Sequence, residues 1–362
     1  MALAASGVRG LSPYQPGKPI EELQREYGID DVIKVASNEN PLGPSPGALA
    51  ALAPATLADL HRYPDGNGFA LKQALAARLS VPAAGITLGN GSNDVLELLA
   101  RAFVTPGDEV IFSEHAFAVY PIVTQAVGGR AVVTRAVNYG HDLDAMRAVV
   151  GERTRLIFVA NPNNPTGTWV RADTLRRFVE SLPQTVIVVV DEAYFEFVSE
   201  PDYPDCVRWV EAMPNLVVTR TFSKIHGLAG LRVGYGISHP QVADILNRVR
   251  QPFNVNSLAL AAATAALADD THVRRSADNN RLGMRQLVEG FERLGLEYIP
   301  SVGNFVCVRV KEAAAVYEKL LRRGVIVRPI ANYGLPDHLR ITVGLPAENS
   351  RFLAALAAAI GS

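Results

Sequence analysis

The sequence predicts an α/β fold with a large, mostly parallel sheet, because three buried strands each end in a polar residue. The apolar, β-branched runs are residues 155–160, 185–190 and 216–218. They lead, respectively, into turns or loops that carry Asn164, Asp191 and Lys224. Ligands of open α/β sheets bind at the carboxyl ends of the strands, so we expect these three side chains to share one site.

Lys224 is the first of the three groups, and it follows its strand directly after Phe222 and Ser223. A lysine in a partly desolvated pocket can lose its proton and form a Schiff base. Thr221, Ser223 and Arg232 lie close enough in sequence to hold a phosphate together. A Schiff-base lysine beside a phosphate site suggests pyridoxal phosphate. The alternative for this stretch alone is an ordinary charged loop.

The other two strand ends supply what that cofactor requires. An acidic group keeps the pyridine nitrogen protonated and makes the ring an electron sink, and Asp191 fits this need. The amide of Asn164 is expected to bond the phenolic oxygen of the cofactor, which Tyr194 would also approach. The alternatives are that Asp191 caps a helix and that Asn164 is an ordinary turn residue. The order Asn, Asp, Lys at three strand ends favours the cofactor interpretation.

Three motifs carry a family resemblance: NPNNPTG at 161–167, DEAYFEF at 191–197 and TFSKIHGLAGLRVGYG at 221–236. They resemble the signatures of aminotransferases of the aspartate aminotransferase superfamily, the fold-type I pyridoxal phosphate enzymes. The segments LSPYQPG at 11–17 and KVASNENPLGP at 34–44 are most similar to those of histidinol-phosphate aminotransferases. The resemblance extends to Arg340. It implies histidinol phosphate and glutamate or 2-oxoglutarate as substrates, and a homodimer.

The resemblance also implies roles for five further residues. Phe117 would stack on the pyridine ring, and Tyr63 would reach across the dimer interface to the cofactor phosphate of the other subunit. Tyr14 would lie near the substrate. Arg340 would hold an α-carboxylate, and Arg328 is a second candidate for the substrate phosphate. The alternatives are that Phe117 and Tyr14 only pack against neighbouring side chains, that Tyr63 is an ordinary turn residue, and that Arg328 is exposed to solvent.

A second phosphate contact is expected where a helix begins after a short strand. Gly91, Ser92 and Asn93 precede the predicted helix 94–103, and small residues there expose free backbone amides. The stretch lacks the third glycine of a dinucleotide fingerprint, which argues against a nicotinamide cofactor. The family often has Asp or Thr at the position of Asn93. We therefore expect the backbone amides of Gly91 and Ser92, more than the side chain of Asn93, to hold the phosphate.

We predict three parts in the chain. Residues 1–45 form an N-terminal arm with a helix at 20–27, residues 46–255 form the large cofactor-binding domain, and residues 256–362 form a small α/β domain that begins with an alanine-rich helix. A Ser45 cap predicts a helix running to about residue 60. The small domain would contain strands at 304–310, 325–327 and 340–343.

Composition restricts the remaining possibilities. The 362 residues are 48% hydrophobic and 20% charged, with a formal net charge of −1, which gives no general attraction to nucleic acid or anionic membranes. No apolar run approaches the ~20 residues of a membrane span, and the first ten residues lack a signal-peptide pattern. We therefore expect a soluble, cytoplasmic protein. The spacing of Cys206, Cys307 and the histidines predicts neither a disulfide nor a metal site.

The predicted activity is ping-pong transamination, with Lys224 as the acid and base that moves the proton. Three alternatives remain open. An aromatic amino acid aminotransferase has closely similar motifs, and a threonine-phosphate decarboxylase-like lyase would not need 2-oxoglutarate. A non-enzymatic cofactor-binding protein would tolerate loss of Lys224, and the intact lysine, Asp191 and Asn164 argue against it.

Overall fold

The centre of the molecule is a seven-stranded sheet, seen in a computed structural model that describes residues 3–52 and 57–361. One strand, Gly234–Ser238, runs antiparallel to both of its neighbours, and the other pairings are parallel. The predicted α/β class is confirmed. Across the sheet, the strands are Ile86–Gly89, Gly234–Ser238, Leu216–Thr221, Ile187–Asp191, Thr154–Ala160, Glu109–Ser113 and Arg130–Thr134.

Helices cover both faces of this sheet, which explains why its central strands are apolar along their whole length. Alternate residues of a strand point to opposite faces, so Val188 and Val190 join one core while Val189 joins the other. One layer contains helices Phe69–Leu79, Leu143–Ala148, Ala172–Glu180 and Ser257–Leu267, and the other contains Ser92–Phe103, Val119–Ala126 and Pro240–Val249.

A smaller lobe follows, built on a four-stranded antiparallel sheet. Its core joins that sheet to three helices through large apolar side chains such as Leu287, Leu320 and Phe352. The strands, in order across the sheet, are Tyr298–Ile299, Phe305–Arg309, His338–Thr342 and Arg328–Pro329, and the helices are Asp270–Arg293, Ala313–Leu321 and Pro346–Ile360.

The N-terminal arm packs mainly on the small lobe. Helix Ile20–Tyr27 has the predicted bounds, and its Leu23 is buried in one cluster with Leu321 and Ile326. Strand Ile33–Lys34 then pairs in parallel with Val325–Ile326. This pairing carries the following residues, 36–39, into the cleft between the two lobes.

The remaining elements are short connections. No helix in the described ranges is both long and apolar enough to cross a membrane. The connections are helices Ser6–Arg9 and Pro46–Ala50, the strand pair Ala136–Val137 and Gly140–His141, and the 3-10 turns Ala83–Gly85, Phe195–Phe197, Cys206–Trp209, Ala229–Leu231 and Ala331–Tyr333.

The helix expected from Ser45 to about residue 60 is shorter than predicted. It begins as expected, because Oγ of Ser45 accepts a 3.1 Å hydrogen bond from the backbone amide of Ala48. It ends at Ala50. Part of the predicted helix, residues 53–56, lies outside the described residues. The run contains Pro54, which lacks the amide proton that a continuous helix would use.

The alanine-rich helix Ser257–Leu267, expected to begin the small domain, packs in the large one. Its Ala259, Ala262 and Ala263 are fully buried in the same core as Leu71 and Leu75. Small side chains allow this close approach to helix Phe69–Leu79. We therefore propose that the division between the domains lies near residue 269, rather than at 256.

Candidate active site

Lys224 lies in a cleft between the lobes, just beyond the end of strand Leu216–Thr221. Its Nζ donates a 3.1 Å hydrogen bond to the backbone carbonyl of Ser37. Burial lowers the pKa of Lys224 to about 8, and the nearby Arg340 guanidinium acts in the same direction. A larger fraction of the amine is therefore unprotonated near neutral pH than in an ordinary lysine, and the unprotonated amine is the nucleophile.

Asp191 ends the neighbouring parallel strand and lines the same cleft. Tyr120 donates to Oδ2 and Thr219 donates to Oδ1, each over 2.9 Å. Burial raises the pKa of Asp191, while these two hydrogen bonds act in the opposite direction. The two donors also fix the orientation of the carboxylate, which remains available to a ligand in the cleft.

Tyr194 lies three residues beyond Asp191, and its ring centre is 5.7 Å from Nζ of Lys224. Burial raises the pKa of Tyr194 to about 12, so its hydroxyl group stays protonated. The side-chain amide of Asn38 donates to that hydroxyl oxygen over 2.9 Å. The tyrosine proton is consequently free to be donated to a ligand.

A third group of residues forms a pocket for an anion. Nη1 of Arg232 donates to Oγ of Ser223 over 3.3 Å, and Oγ1 of Thr221 accepts from the backbone amide of Ser223 over 3.1 Å. Ser92 and Asn93 also line the cleft, at the start of helix Ser92–Phe103. Guanidinium, hydroxyl groups and helix-start amides together are suited to a phosphate.

Gly91 makes this pocket sterically feasible. Its φ is +78°, a conformation that residues with a side chain rarely adopt. A Cβ atom at this position would lie 2.4 Å from Nη2 of Arg232. The glycine therefore lets the guanidinium approach the start of the helix.

Two arginines of the small lobe line the opposite side of the cleft. Nη2 of Arg340 donates to the carbonyl of Ala36 over 2.8 Å, and Nη1 donates to Oδ1 of Asn164. Its Nε is buried and has no hydrogen-bond partner within the described part of the chain. Arg328 is only 8% exposed, so it does not lie at a solvated edge. Both guanidinium groups are suited to anionic ligands.

Two aromatic side chains complete the wall of the cleft. Phe117 lies in the loop after strand Glu109–Ser113 and packs edge-on against Tyr120, with ring centres 5.9 Å apart. Tyr14 is half-exposed, and its ring centre lies 5.9 Å from the guanidinium carbon of Arg328. The arm and the large lobe thus contribute aromatic surface to one cleft.

Tyr63 is the one predicted site residue that the structure places away from the cleft. Its side chain is 82% exposed and stacks on Phe253, with ring centres 4.7 Å apart. It is not among the residues that line the cleft. This position leaves it available to a second subunit.

Several contributors were not predicted from the sequence. Hydrogen bonds join Lys224 to Ser37, Tyr194 to Asn38 and Arg340 to Ala36. Hydrogen bonds from Tyr120 and Thr219 orient Asp191. The alternation of Thr219, Arg220 and Thr221 along one strand was the available signal for Thr219, because it places both threonines on the same face. The contacts from residues 36–38 come from distant chain segments, and no local pattern indicates them.

Comparisons with known proteins identify the family. The model of the family described as aminotransferase class I and II matches residues 30–356. Histidinol-phosphate aminotransferase 2 of Pseudomonas fluorescens is 62% identical over 360 residues, covering 99% of this chain and 97% of that protein. Histidinol-phosphate aminotransferase 1 of Nitrosococcus oceani is 59% identical over 355 residues, covering 98% and 96%.

A solved structure is similar over the whole chain. It is a crystal structure of histidinol-phosphate aminotransferase from Sinorhizobium meliloti in complex with pyridoxal-5'-phosphate. The TM-score is 0.92 at 31% sequence identity, with coverage of 100% of this chain and 98% of that one. The arrangement of the two lobes is therefore shared with a structure that holds this cofactor.

Proposed function

The chain belongs to the class I and II aminotransferases, and from this membership we propose that it transfers the amino group of histidinol phosphate to 2-oxoglutarate. The products would be imidazole-acetol phosphate and glutamate, in a step of histidine biosynthesis. The observation that carries the proposal is a single cleft that holds a low-pKa lysine, a buried aspartate and two arginines. Identity of about 60% to relatives named for this reaction supports the choice of substrate.

Pyridoxal phosphate is the cofactor that fits these residues. Lys224 offers an amine, Asp191 a buried acidic partner, and Arg232 with Ser223 an anion site whose close packing depends on Gly91. When bound, this cofactor supplies an electrophilic carbonyl carbon and an electron sink. The resemblance to cofactor-binding relatives further supports Asn93, Phe117 and Asn164 as contacts.

The protein groups would divide the proton chemistry between them. Lys224 would hold and release the proton at the substrate Cα, because its pKa of about 8 permits both protonation states near neutral pH. Asp191, fixed by Tyr120 and Thr219, would keep the ring nitrogen protonated. Tyr194 would act as a hydrogen-bond donor, since its pKa of about 12 keeps the hydroxyl proton in place.

The two substrates share the anion site of the small lobe. Arg340, with its unpartnered Nε, would hold the α-carboxylate of glutamate or 2-oxoglutarate, and Arg328 with Arg340 would hold the phosphate of histidinol phosphate. Tyr14 would cover the substrate from the arm. Since both substrates use one site in turn, ping-pong kinetics follow.

We also propose a cytoplasmic homodimer in which Tyr63 of each subunit reaches the cofactor phosphate of the other. The exposed stack of Tyr63 on Phe253 supports an interface at this surface. The buried, unpaired thiols of Cys206 and Cys307 fit a reducing compartment.

A half-reaction without any keto acid tests the substrate. The cofactor-loaded protein is mixed with histidinol phosphate or with phenylalanine, and the fall of the bound-cofactor absorbance is followed by stopped flow. We expect faster and tighter bleaching by histidinol phosphate. Preferential bleaching by phenylalanine would make the protein an aromatic aminotransferase. Release of carbon dioxide from threonine phosphate without bleaching would make it a lyase.

A further inference from the structure

Glu39 is a carboxylate in a cleft otherwise built for anions. Six of the described residues that line the cleft are charged, and four of them are cations. Asp191 is buried, whereas the side chain of Glu39 is 45% exposed. Because every proposed substrate carries a phosphate or carboxylate group, an unneeded carboxylate would weaken binding. The six residues are Glu39, Asp191, Lys224, Arg232, Arg328 and Arg340.

The backbone on both sides of Glu39 is anchored. The backbone amide of Asn38 donates to Oγ1 of Thr342 over 2.9 Å. The side-chain amide of Asn40 donates to the carbonyl of Ile225 over 2.7 Å and to Oγ of Ser276 over 2.8 Å. Both asparagines are buried. The Glu39 carboxylate is therefore presented to the cleft from a fixed position.

Lys34 is the partner of this carboxylate. Its Nζ lies 2.9 Å from Oε1 of Glu39, and its side chain is partly exposed. Lys34 itself belongs to strand Ile33–Lys34, which pairs with the small lobe. Because the Glu39 side of the pair is exposed to solvent, the pair contributes little to stability and a ligand can separate it at small cost.

We propose that the Lys34–Glu39 pair distinguishes the two side chains that the site accepts in turn, an inference that rests on the proposed function. When the anionic group of either substrate is bound by the arginines, the rest of the substrate points away from them. Glu39 accepts a hydrogen bond from the N–H group of the imidazole ring. Lys34 donates to the side-chain carboxylate of glutamate or 2-oxoglutarate. The same ion pair therefore offers a hydrogen-bond acceptor to one substrate and a hydrogen-bond donor to the other.

Separate half-reactions test this assignment, with each variant loaded with pyridoxal phosphate. Glu39→Gln should lower kcat/KM for histidinol phosphate by at least about tenfold, because the imidazole loses a charged hydrogen-bond acceptor. The same substitution should change kcat/KM for glutamate by less than about threefold. Lys34→Gln should show the opposite selectivity. Glu297→Gln is the matched control, since it breaks an exposed 2.9 Å pair with Arg309 outside the cleft.

Equal losses in both half-reactions, or no loss, would overturn the inference. Unchanged cofactor absorbance of each variant shows that the site is still formed, and Glu39→Asp, which keeps the charge, should retain part of the preference for histidinol phosphate. A wild-type protein that uses glutamate and not histidinol phosphate would overturn the proposed function and this inference with it. A wild-type protein that uses both, with unselective variants, overturns the inference alone.

Discussion

The hydroxyl group of Tyr120 donates a 2.9 Å hydrogen bond to Oδ2 of Asp191, and both side chains are buried. Tyr120 is held from behind by a parallel stack on Phe158, with ring centres 4.4 Å apart. Burial raises the pKa of Asp191, and the hydrogen bond opposes that effect. Tyr120 therefore helps to keep the carboxylate charged and correctly oriented.

Tyr120→Phe should lower kcat by at least about tenfold, because a hydrogen bond to a charged group contributes about 1.5–3 kcal/mol. Steady-state kinetics and the absorbance of the bound cofactor measure the effect. In an Asp191→Asn background the same substitution should have little further effect, since the charge that it supports is gone. Additive losses in the double variant would show that Tyr120 acts independently of Asp191.

Lys224 makes the stability of the cofactor-free protein depend on pH. Its pKa is lowered from 10.5 to about 8, so the unfolded chain binds more protons than the folded one between these values. The contribution of Lys224 to the free energy of unfolding consequently rises with pH in this window, by about 2 kcal/mol from pH 8 to pH 10. Well below pH 8 the contribution is constant, because Lys224 is protonated in both states, and the buried charge lowers the free energy of unfolding.

Urea unfolding of the wild-type protein and Lys224→Met at pH 8 and pH 10 measures this contribution. Buried tyrosines and cysteines titrate in both proteins, so their effects cancel in the difference between the two. The stability of the wild type relative to the variant should increase over this interval. A difference that does not change with pH would mean that Lys224 is not desolvated in the folded state.

A buried ion pair lies next to the site residues: Arg220 belongs to strand Leu216–Thr221, and Glu192 directly follows strand Ile187–Asp191. Nε and Nη2 of Arg220 donate to Oε2 of Glu192 over 2.9 and 2.6 Å, and Nη2 also donates to Oδ1 of Asp205 over 2.7 Å. Arg220→Met should lower the free energy of unfolding by about 3–5 kcal/mol, because Glu192 would remain as a buried charge without its cation. Urea unfolding measures the loss.

The double variant Arg220→Met/Glu192→Met should be more stable than Arg220→Met, since neither charge remains buried alone. Arg248→Met is the control, because its 2.5 Å pair with Asp244 is exposed and is expected to contribute less than about 1 kcal/mol. If the double variant is less stable than the single one, packing rather than charge determines the effect.

The sequence predicted those parts of the site that depend on local patterns. Asn164, Asp191 and Lys224 each follow an apolar run, and parallel strands bring the ends of such runs together. The contacts of Ser37 with Lys224 and of Asn38 with Tyr194 join residues 187 and 156 positions apart. Such contacts depend on how the arm crosses the lobes, which no periodicity encodes.

Helix Ser257–Leu267 shows the same limit at the level of the fold. Its composition predicted a helix, and a helix is present. Because alanine occurs on every side of this helix, the sequence has no distinct apolar stripe, and it did not identify the core against which the helix packs. Packing against Leu71 and Leu75, rather than any property of the helix itself, places it with the large lobe.

Tyr63 leads to a prediction about two subunits. If each Tyr63 serves the site of the partner subunit, a hybrid of a Lys224→Ala subunit and a Tyr63→Ala subunit contains one intact site. That site combines Lys224 of one chain with Tyr63 of the other, while the second site carries both defects. Mixing the two variants under conditions that exchange subunits should therefore restore activity that neither variant has alone.

Steady-state rates before and after subunit exchange measure this complementation, and sedimentation confirms the hybrid dimers. Random exchange makes half of the dimers hybrid, so about a quarter of the sites should regain wild-type kcat, in addition to the residual activity of Tyr63→Ala. Phe253→Leu is a useful control, because it removes the aromatic stack with Tyr63 without changing any group proposed to contact the cofactor. If Tyr63 instead acts within its own chain, no hybrid site is intact, and mixing should leave the activity at the average of the two variants.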